Sequence, residues 1–253
     1  MDHRDGAPDM GIPKPSIEEL LRHSQDHRCD GQEDCVTISA VAELPTRYGP
    51  FQVVSFHGSS GEIDHAALVR GDVRGKENVP VRLHSECLTG EAFGSLRCDC
   101  RDQLELSLRE LDRRDFGVLL YLRQEGRGIG FENKIRAYQL QDAGLDTVEA
   151  NEALGFQADE RDYRVAAHML RSLEIGSIVL MSNNPAKIRD LRSHGIHVAG
   201  RIPLAIPPNA FDARYLETKR IKGGHLLPPV ELDLLDEQVD GLHCRDVSDT
   251  PPS

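Results

Sequence analysis

The strongest constraint on the fold is the alternation of helical and extended patterns in the second half of the chain. Leucines recur at helical spacing in 101–114, and the apolar run 117-GVLLYLR that follows has the composition of a buried strand. The helical segments 132–143 and 162–174 each end near a glycine, and 177-SIVLMS predicts a further strand. Strands that alternate with helices favour a largely parallel or mixed sheet flanked by helices, so we expect an α/β fold.

The preceding part of the chain is rich in short β-type runs. Val, Ile and Phe gather in 35-CVTISAV, 51-FQVVSF, 66-AALVRGDV and 79-VPVRLHS, which are separated by Pro and Gly turns. The sequence therefore predicts a β-rich N-terminal section before the alternating pattern begins.

Both ends of the chain differ in composition from the middle. Residues 1–34 are polar, with one candidate short helix at 16–23, and we expect a disordered extension. Residues 228–253 contain prolines and acidic residues, and we expect a disordered tail. A single domain over 35–227 is then predicted, and it is long enough to bury a full core.

Charge and hydropathy argue against several classes of protein. The formal net charge of −12 disfavours a nucleic-acid binder, because such proteins neutralise phosphates with a basic surface. No segment approaches the roughly 20 apolar residues of a membrane helix, and the polar N-terminus lacks the apolar core of a signal peptide. We therefore expect a cytoplasmic protein that binds neither nucleic acid nor membrane. A small anionic substrate is compatible with this charge, since a few basic side chains inside a cleft can hold it.

Three of the six cysteines lie close together, in the spacing C-x10-C-x-C. Thiolates are soft ligands that favour zinc, and three of them leave one tetrahedral position for water. The spacing leaves a catalytic zinc, a structural zinc completed by a histidine, and no metal as alternatives. Alternate residues of a strand point to opposite sides, so Cys98 and Cys100 can share an ion only if 98-CDC is a turn or bulge. The clustered cysteines are Cys87, Cys98 and Cys100, and we interpret Cys29, Cys35 and Cys244 as free thiols.

Charged residues near the first cysteine and in a later loop are candidates for catalysis or anion binding. Glu86 is a candidate proton shuttle for a zinc-bound water. His84 either has a direct role or is a histidine of the core or one that supports a ligand. The segment 123-RQEGRGIG has two arginines and three glycines in eight residues. This composition is typical of a turn that binds an anion, although many such turns are only tight connections.

Two further segments carry candidate phosphate-binding residues. The run 178-IVLMSNNPAK places Ser182 and Lys187 beside a helix N-terminus, where exposed amides favour a phosphate; an asparagine cap is the alternative. Asp159 and Arg161 stand two residues apart, so an extended segment directs both into one cleft whereas a helix separates them. A solvated surface pair is the alternative there.

In order and spacing, these segments closely resemble one family. The runs 82-RLHSECLTGEAFGSLRCDCRDQL, 121-YLRQEGRGIGFENKIRAYQLQDAGLDTVEAN, 155-GFQADERDY and 182-SNNPAK resemble GTP cyclohydrolase II, and the similarity extends over about 42–227. The resemblance implies a three-layer α/β fold and a homodimer. It also implies hydrolysis of GTP to 2,5-diamino-6-(5-phosphoribosylamino)pyrimidin-4-one, formate and pyrophosphate in riboflavin biosynthesis. One Zn²⁺ per subunit, and Mg²⁺ with the GTP phosphates, are the implied cofactors.

The resemblance implies roles for individual residues. Cys87, Cys98 and Cys100 match the zinc ligands. Asp159 matches the proton acceptor, Arg161 the nucleophile toward the α-phosphorus, and Tyr138 a residue near the reacting ring. A guanidinium has a pKa above about 12, so a charge clamp on the transition state is an alternative role for Arg161. The positions that match GTP contacts are Arg82, Leu83, His84, Ser85, Glu86, Gln103, Glu125, Gly126, Arg127, Thr147, Ser182 and Lys187.

The mechanism that follows from the resemblance separates two chemistries. A zinc-activated water attacks C8 of guanine and a second water releases formate, while Arg161 and Lys187 meet the triphosphate. A paralogue that stops at the formamidopyrimidine is the main alternative, although Tyr121 matches the tyrosine of full-reaction members. A zinc nucleobase deaminase lacks support, since its H-x-E and P-C-x-x-C signature is absent. Phe131 and Glu132 occupy two positions after the glycine-rich segment where the family commonly has a pair of apolar residues.

Overall fold

A single mixed sheet forms the centre of the computed structural model, which describes residues 36–58, 64–204, 206–209 and 211–229. The expected extension at 1–34, its candidate helix and the tail from residue 230 onward lie outside the described residues. The seven strands are β1 (Val36–Thr46), β2 (Gly49–Gly58), β3 (His65–Arg70), β4 (Val79–Ser85), β5 (Gly117–Leu122), β6 (Ile178–Met181) and β7 (Val198–Ile202).

The order of strands across the sheet is β1-β2-β3-β5-β4-β6-β7. The pairs β1–β2, β2–β3 and β3–β5 are antiparallel, and the pairs β4–β5, β4–β6 and β6–β7 are parallel. The predicted mixed sheet and β-rich N-terminal section are thus confirmed. Because β4, β5 and β6 run in the same direction, the loops that follow them leave the sheet at one edge.

Seven α-helices and one 3₁₀ turn connect the strands within the described ranges. Asp146 caps one of these helices in a capping box with Glu149, and Asn184 caps another with Pro185 in its first turn. No helix in the described part of the chain is both long and apolar enough to cross a membrane. The elements are α1 (Leu88–Glu91), α2 (Cys100–Asp112), the 3₁₀ turn (Glu125–Gly128), α3 (Gly130–Asp142), α4 (Thr147–Ala153), α5 (Arg164–Ser172), α6 (Pro185–Ser193) and α7 (Ala213–Ile221).

Two hydrophobic clusters cover the two faces of the sheet. Strand β5 alternates between them: Val118 and Leu120 pack with residues of α5 and α6, whereas Leu119 packs with Leu108 and Leu111 of α2. Period-two alternation in a strand buried on both faces produces this division. The result is helices, sheet and helices in three layers, as the sequence predicted.

Candidate active site

A cavity of about 670 Å³ opens where the parallel strands end. Strand β4 leads into Glu86 and Cys87, and β5 leads into the 3₁₀ turn. Ligands of open α/β sheets bind at this carboxyl edge of the strands. The residues singled out from the sequence that line the cavity are Ser85, Glu86, Cys87, Cys98, Cys100, Glu125, Gly126, Arg127, Tyr138, Thr147 and Arg161.

The three clustered cysteines converge on one side of this cavity. Cys87 precedes α1, Cys98 lies in the loop after it and Cys100 begins α2, so 98-CDC is a turn into a helix, as shared ligation requires. Their sulfurs lie within 4.8 Å of one another, and the Sγ atoms of Cys87 and Cys98 are 3.6 Å apart. A tetrahedral zinc with Zn–S bonds of about 2.3 Å separates its sulfurs by about 3.8 Å. The donor type and spacing therefore fit a zinc ion.

A glycine lets the three sulfurs come this close to α1. A Cβ added to Gly90 would lie 2.8 Å from Sγ of Cys98 and 3.2 Å from Sγ of Cys87. Carbon–sulfur contacts at the shorter distance require one of the groups to move. A larger residue at Gly90 is thus incompatible with the observed placement of the thiols.

Cys87 is the thiol of the trio that contacts a cation. Hydrogen bonds from the thiols of Cys100 and Cys98, together with the charge of Lys134, lower the pKa of Cys87 despite its burial. Nζ of Lys134 donates to Sγ of Cys87 at 3.2 Å and to Oε1 of Glu125 at 2.7 Å. Burial alone would lower the pKa of Lys134, but the bond to Glu125 and the charge of Cys87 raise it. The ammonium therefore stays charged beside the sulfur.

A buried carboxylate holds the start of the cysteine loop. Oε1 of Glu91 accepts the backbone N–H of Cys87 at 2.9 Å and pairs with Nε2 of His84 at 2.7 Å. The hydroxyl of Tyr121 donates to Oε2 of Glu91 at 2.6 Å. Burial lowers the pKa of His84, whose ring stacks on Tyr121 and does not line the cavity. His84 thus supports Glu91, and the GTP contact that the resemblance implies for His84 stays a prediction.

Glu86 lines the cavity next to Cys87, as a proton shuttle requires. Burial raises the pKa of its carboxyl group, and the nearest cation is Arg123, whose Nε lies 3.7 Å from Oε2. A carboxyl group with a raised pKa exchanges protons more readily near neutral pH. The position and chemistry of Glu86 both suit proton transfer.

Tyr138 lies on α3, and its side chain contacts the cysteine loop. Its hydroxyl lies 3.2 Å from Oγ1 of Thr89, and the guanidinium of Arg97 lies 4.8 Å from the centre of its ring. Burial raises the pKa of Tyr138, which therefore stays a neutral phenol. The cavity thus has an aromatic side chain close to the thiols.

The glycine-rich turn adopts a backbone that favours glycine. Gly126, Arg127 and Gly128 have φ values of 64°, 62° and 93°, and a Cβ on Gly128 would lie 3.0 Å from the carbonyl carbon of Glu160. The N–H of Glu160 donates to the carbonyl of Arg127 at 3.0 Å. The turn is therefore fixed against the segment that contains Asp159 and Arg161.

Asp159 and Arg161 lie in an irregular segment between α4 and α5 and contact each other directly. Nε of Arg161 donates to Oδ1 of Asp159 at 2.7 Å, and Nη2 donates to Oδ2. The Arg161 side chain is 15% exposed and lines the cavity, whereas that of Asp159 is 39% exposed, so only the arginine is largely withdrawn from solvent. Burial opposes ionisation of both groups, but Arg161 lowers the pKa of Asp159, while Tyr163 and Asp159 raise that of Arg161.

Two buried cations lie behind this segment. Arg82 donates to the carbonyl of Met181 at 3.0 Å and to Oε1 of Gln103 at 2.6 Å, and burial lowers its pKa to about 10. Nζ of Lys187 donates to the carbonyl of Leu83 at 2.9 Å, and burial with the charges of Arg82 and Arg161 lowers its pKa. In the described part of the chain neither cation is ion-paired with a carboxylate. A bound anion would offset this charge.

Some predicted residues do not line the cavity. Oγ of Ser182 accepts the N–H of Asn184 at 3.0 Å, and the Asn184 side chain accepts the N–H of Ala186 at 2.9 Å. This loop therefore has the asparagine cap, and phosphate binding there remains a prediction. The predicted site residues outside the lining are Arg82, Leu83, His84, Gln103, Asp159, Ser182 and Lys187.

Several residues near the cavity were not identified from the sequence. These include Glu91, Lys134 and a buried pair in which Nζ of Lys219 lies 2.9 Å from Oδ1 of Asp99. Phe131 and Glu132, which depart from the family pattern, are exposed and do not line the cavity. The departure therefore leaves the lining of the cavity unchanged.

The fold and site together define an α/β enzyme that combines a thiol cluster suited to a soft metal ion with buried cations suited to an anion. A family model described as GTP cyclohydrolase II matches residues 37–203. The chain belongs to the GTP cyclohydrolase II family.

Individual relatives agree with this assignment. A GTP cyclohydrolase-2 of Picrophilus torridus is 56% identical over 191 residues, covering 76% of this chain and 99% of the relative. The GTP cyclohydrolase-2 of Aeromonas hydrophila is 54% identical over 191 residues, covering 76% and 97%. The riboflavin biosynthesis protein RibBA of Bacillus mycoides is 48% identical over 221 residues, covering 87% of this chain and 54% of the relative. The chain thus spans about half of that longer protein.

Proposed function

We propose that this protein is a zinc-dependent GTP cyclohydrolase II that acts in the first step of riboflavin biosynthesis. It hydrolyses GTP to 2,5-diamino-6-(5-phosphoribosylamino)pyrimidin-4-one, formate and pyrophosphate. The observation that carries the proposal is the placement of three thiols, Tyr138 and two arginines around one cavity. The names of the relatives, with more than half of the aligned residues identical in two of them, support the same reaction.

The ring-opening half of the reaction is assigned to the thiol side of the cavity. Cys87, Cys98 and Cys100 would hold the zinc, which supplies a Lewis acid and an activated water when bound. Glu86 takes and returns protons there, because its carboxyl group lines the cavity and has a raised pKa. Tyr138, whose hydroxyl contacts Thr89 of the cysteine loop, orients the guanine ring from the same side of the cavity.

The release of pyrophosphate is assigned to the side of the cavity that Arg127 and Arg161 line. Arg161 and Arg127 line the cavity, and the charge of Arg82 adds to the positive potential near them. Burial lowers the pKa of Lys187, and a bound triphosphate would favour its charged form. Mg²⁺ accompanies the triphosphate. With Arg161 as a clamp, water attacks the α-phosphorus, pyrophosphate leaves, and Asp159 accepts the proton of that water. Because neighbouring groups raise the pKa of Arg161, we favour a charge clamp over a deprotonated nucleophile.

GTP should be turned over and ATP should not. The proposal makes guanine the reacting group, and a site that hydrogen-bonds a base discriminates strongly against one lacking the matching groups, on the order of 10⁴-fold. Incubation of the full chain with Mg²⁺ and each nucleotide, followed by assay of formate and pyrophosphate, tests this. Comparable formate release from ATP would reject the guanine assignment.

The pyrimidine product separates the full reaction from its main alternative. Release of one formate and one pyrophosphate per pyrimidine supports the complete reaction. A ring-opened product that retains the formyl group identifies the formamidopyrimidine-forming paralogue instead. Mass spectrometry of the quenched mixture distinguishes them by the mass of the formyl group.

We also propose that the enzyme is a homodimer. Phe131 and Ile135 are exposed one turn apart on α3, and the segment after α1 exposes Phe93 and Leu96. Exposed apolar residues of this size favour burial in an interface. Sedimentation equilibrium that gives a monomer mass at micromolar concentration would contradict the dimer.

A further inference from the structure

A buried lysine that the proposed mechanism does not use contacts the thiol cluster. Lys134 lies on α3 with its side chain 10% exposed, and its Nζ is 3.2 Å from Sγ of Cys87. A buried ammonium is costly unless it is paired and hydrogen-bonded. Its placement against a sulfur therefore requires an explanation beyond packing.

The charge of the thiol cluster explains why an ammonium lies against this sulfur. Three thiolates around a divalent ion leave a net charge of −1, and in the described part of the chain Lys134 is the cation hydrogen-bonded to one of the sulfurs. Lys134 and Lys219 each pair with a carboxylate, Glu125 and Asp99, but of these two lysines only Lys134 is hydrogen-bonded to a sulfur. A hydrogen bond from an ammonium withdraws charge from a sulfur ligand and fixes its orientation.

Glu125 completes a connection between two loops. Its Oε2 accepts the N–H of Leu88 at 2.7 Å, and its Oε1 accepts the N–H of Gly126 at 2.9 Å as well as Nζ of Lys134. Both carboxylate oxygens accept hydrogen bonds from within the protein. The Glu125–Lys134 pair thus joins the cysteine loop to the glycine-rich turn.

We propose that Lys134 is a positioning residue for the metal ligand Cys87. Its ammonium holds the sulfur in place and offsets the negative charge of the three-thiolate set, and Glu125 holds the ammonium. This inference rests on the proposed function, because it requires zinc at the three cysteines. It adds a residue that acts on the ligand and not on GTP.

The test compares two substitutions that differ in charge. Lys134→Met removes the ammonium and keeps a chain of similar length, whereas Lys134→Arg keeps a charged donor. We expect Lys134→Met to weaken zinc binding about 10- to 100-fold, the range found when a partner of a metal ligand is lost, and Lys134→Arg to recover part of the loss. Zinc transfer from the zinc-loaded full chain to a chromophoric chelator measures the affinity.

A second variant controls for the general loss of a buried ion pair. Arg70 on β3 is 3% exposed, and its Nη2 lies 3.3 Å from Oδ1 of Asp112 at the end of α2. Its hydrogen bonds within the described residues go to the carbonyls of Pro50 and Asp112 and not to a cysteine. Arg70→Met should lower the melting temperature without changing zinc affinity. The thiolate-to-cobalt charge-transfer band of the Co²⁺-substituted protein gives an independent readout, and it should shift in Lys134→Met and not in Arg70→Met.

The outcomes separate this inference from the proposed function. Unchanged zinc affinity and an unchanged cobalt band in a folded Lys134→Met protein would overturn the role of Lys134. The proposed cyclohydrolase function would still stand in that case if the wild-type chain turned over GTP. A wild-type chain that bound no zinc would overturn both. Equal losses of zinc affinity in Lys134→Met and Arg70→Met would also overturn the role of Lys134, because the effect would then come from a general loss of stability.

Discussion

Replacing Cys98 with serine should remove bound zinc and abolish formate release while pyrophosphate release continues. A serine hydroxyl is a harder ligand that stays protonated near neutral pH, so two thiolates remain where three were needed. We expect zinc content to fall from about one ion per chain to nearly none, and formate release to fall by more than about 10²-fold. We assign the phosphates to Asp159 and Arg161, which hydrogen-bond each other and, within the described residues, form no hydrogen bond with the cysteine loop.

The matched control is Cys244→Ser, which removes a thiol that the sequence predicts to be free of metal. It should leave zinc content and both products unchanged. Metal analysis and coupled assays of formate and pyrophosphate, run on the same preparations, make the comparison. Formate produced at the wild-type rate by Cys98→Ser would show that the cluster has a structural role, and the assignment of ring opening to it would be wrong.

The α/β part of the fold could be predicted because its signals are local. The predicted helix at 132–143 is found at Gly130–Asp142, and the strand predicted from 117-GVLLYLR is Gly117–Leu122. Leucine spacing and glycine at helix ends act within one or two turns. Tertiary packing agrees with these preferences and does not override them.

Other elements depend on distant partners. Strand β1 continues to Thr46, beyond the predicted run, because pairing with β2 satisfies its backbone as far as Gly49. Pro45 is tolerated there since β1 is an edge strand. The insertion of β5 between β3 and β4 results from contacts across the sheet, which no local pattern encodes. Helix α4 was missed although its capping box, Asp146 and Glu149, is visible in the sequence.

The thiol cluster could be predicted from spacing, and its partners could not. Glu91 and Lys219 are residue types common on surfaces, and only the packing of helices around the cavity buries them. Lys134 had a usable signal: it lies four residues before Tyr138 on a helix that the sequence predicted, which places both on one face. A charged residue on the same face as a proposed active-site residue is a candidate for the site.

Replacing Arg161 with alanine should reduce pyrophosphate release by at least about 10²-fold, the scale of losing one preorganised charged stabiliser. The guanidinium lines the cavity, and Asp159 holds it in one orientation through two hydrogen bonds. Arg161→Lys keeps the charge without the planar fork, so it should recover only part of the rate. If phosphate cleavage precedes ring opening, Arg161→Ala should release neither product.

The chain offers a closely matched control three residues later. Arg164, like Arg161, donates to an aspartate two residues before it, with Nε 3.0 Å from Oδ2 of Asp162. Its side chain is 44% exposed, however, and does not line the cavity. Arg164→Ala should therefore leave both products near the wild-type rate. Pyrophosphate release by Arg161→Ala at the rate of the Arg164→Ala control would show that Arg161 does not act on the phosphates.

A chemical trap separates the two roles that remain open for Arg161. A nucleophile must lose a proton and form a bond to the α-phosphorus, whereas a clamp keeps its proton, which the neighbouring Tyr163 and Asp159 favour. Quenching of wild-type enzyme with GTP radiolabelled at the α-phosphate in alkaline denaturant, where a P–N bond survives, should then leave no label on the protein. Label retained by the wild type and lost in Arg161→Lys would identify a covalent bond at this residue, and the clamp would be rejected.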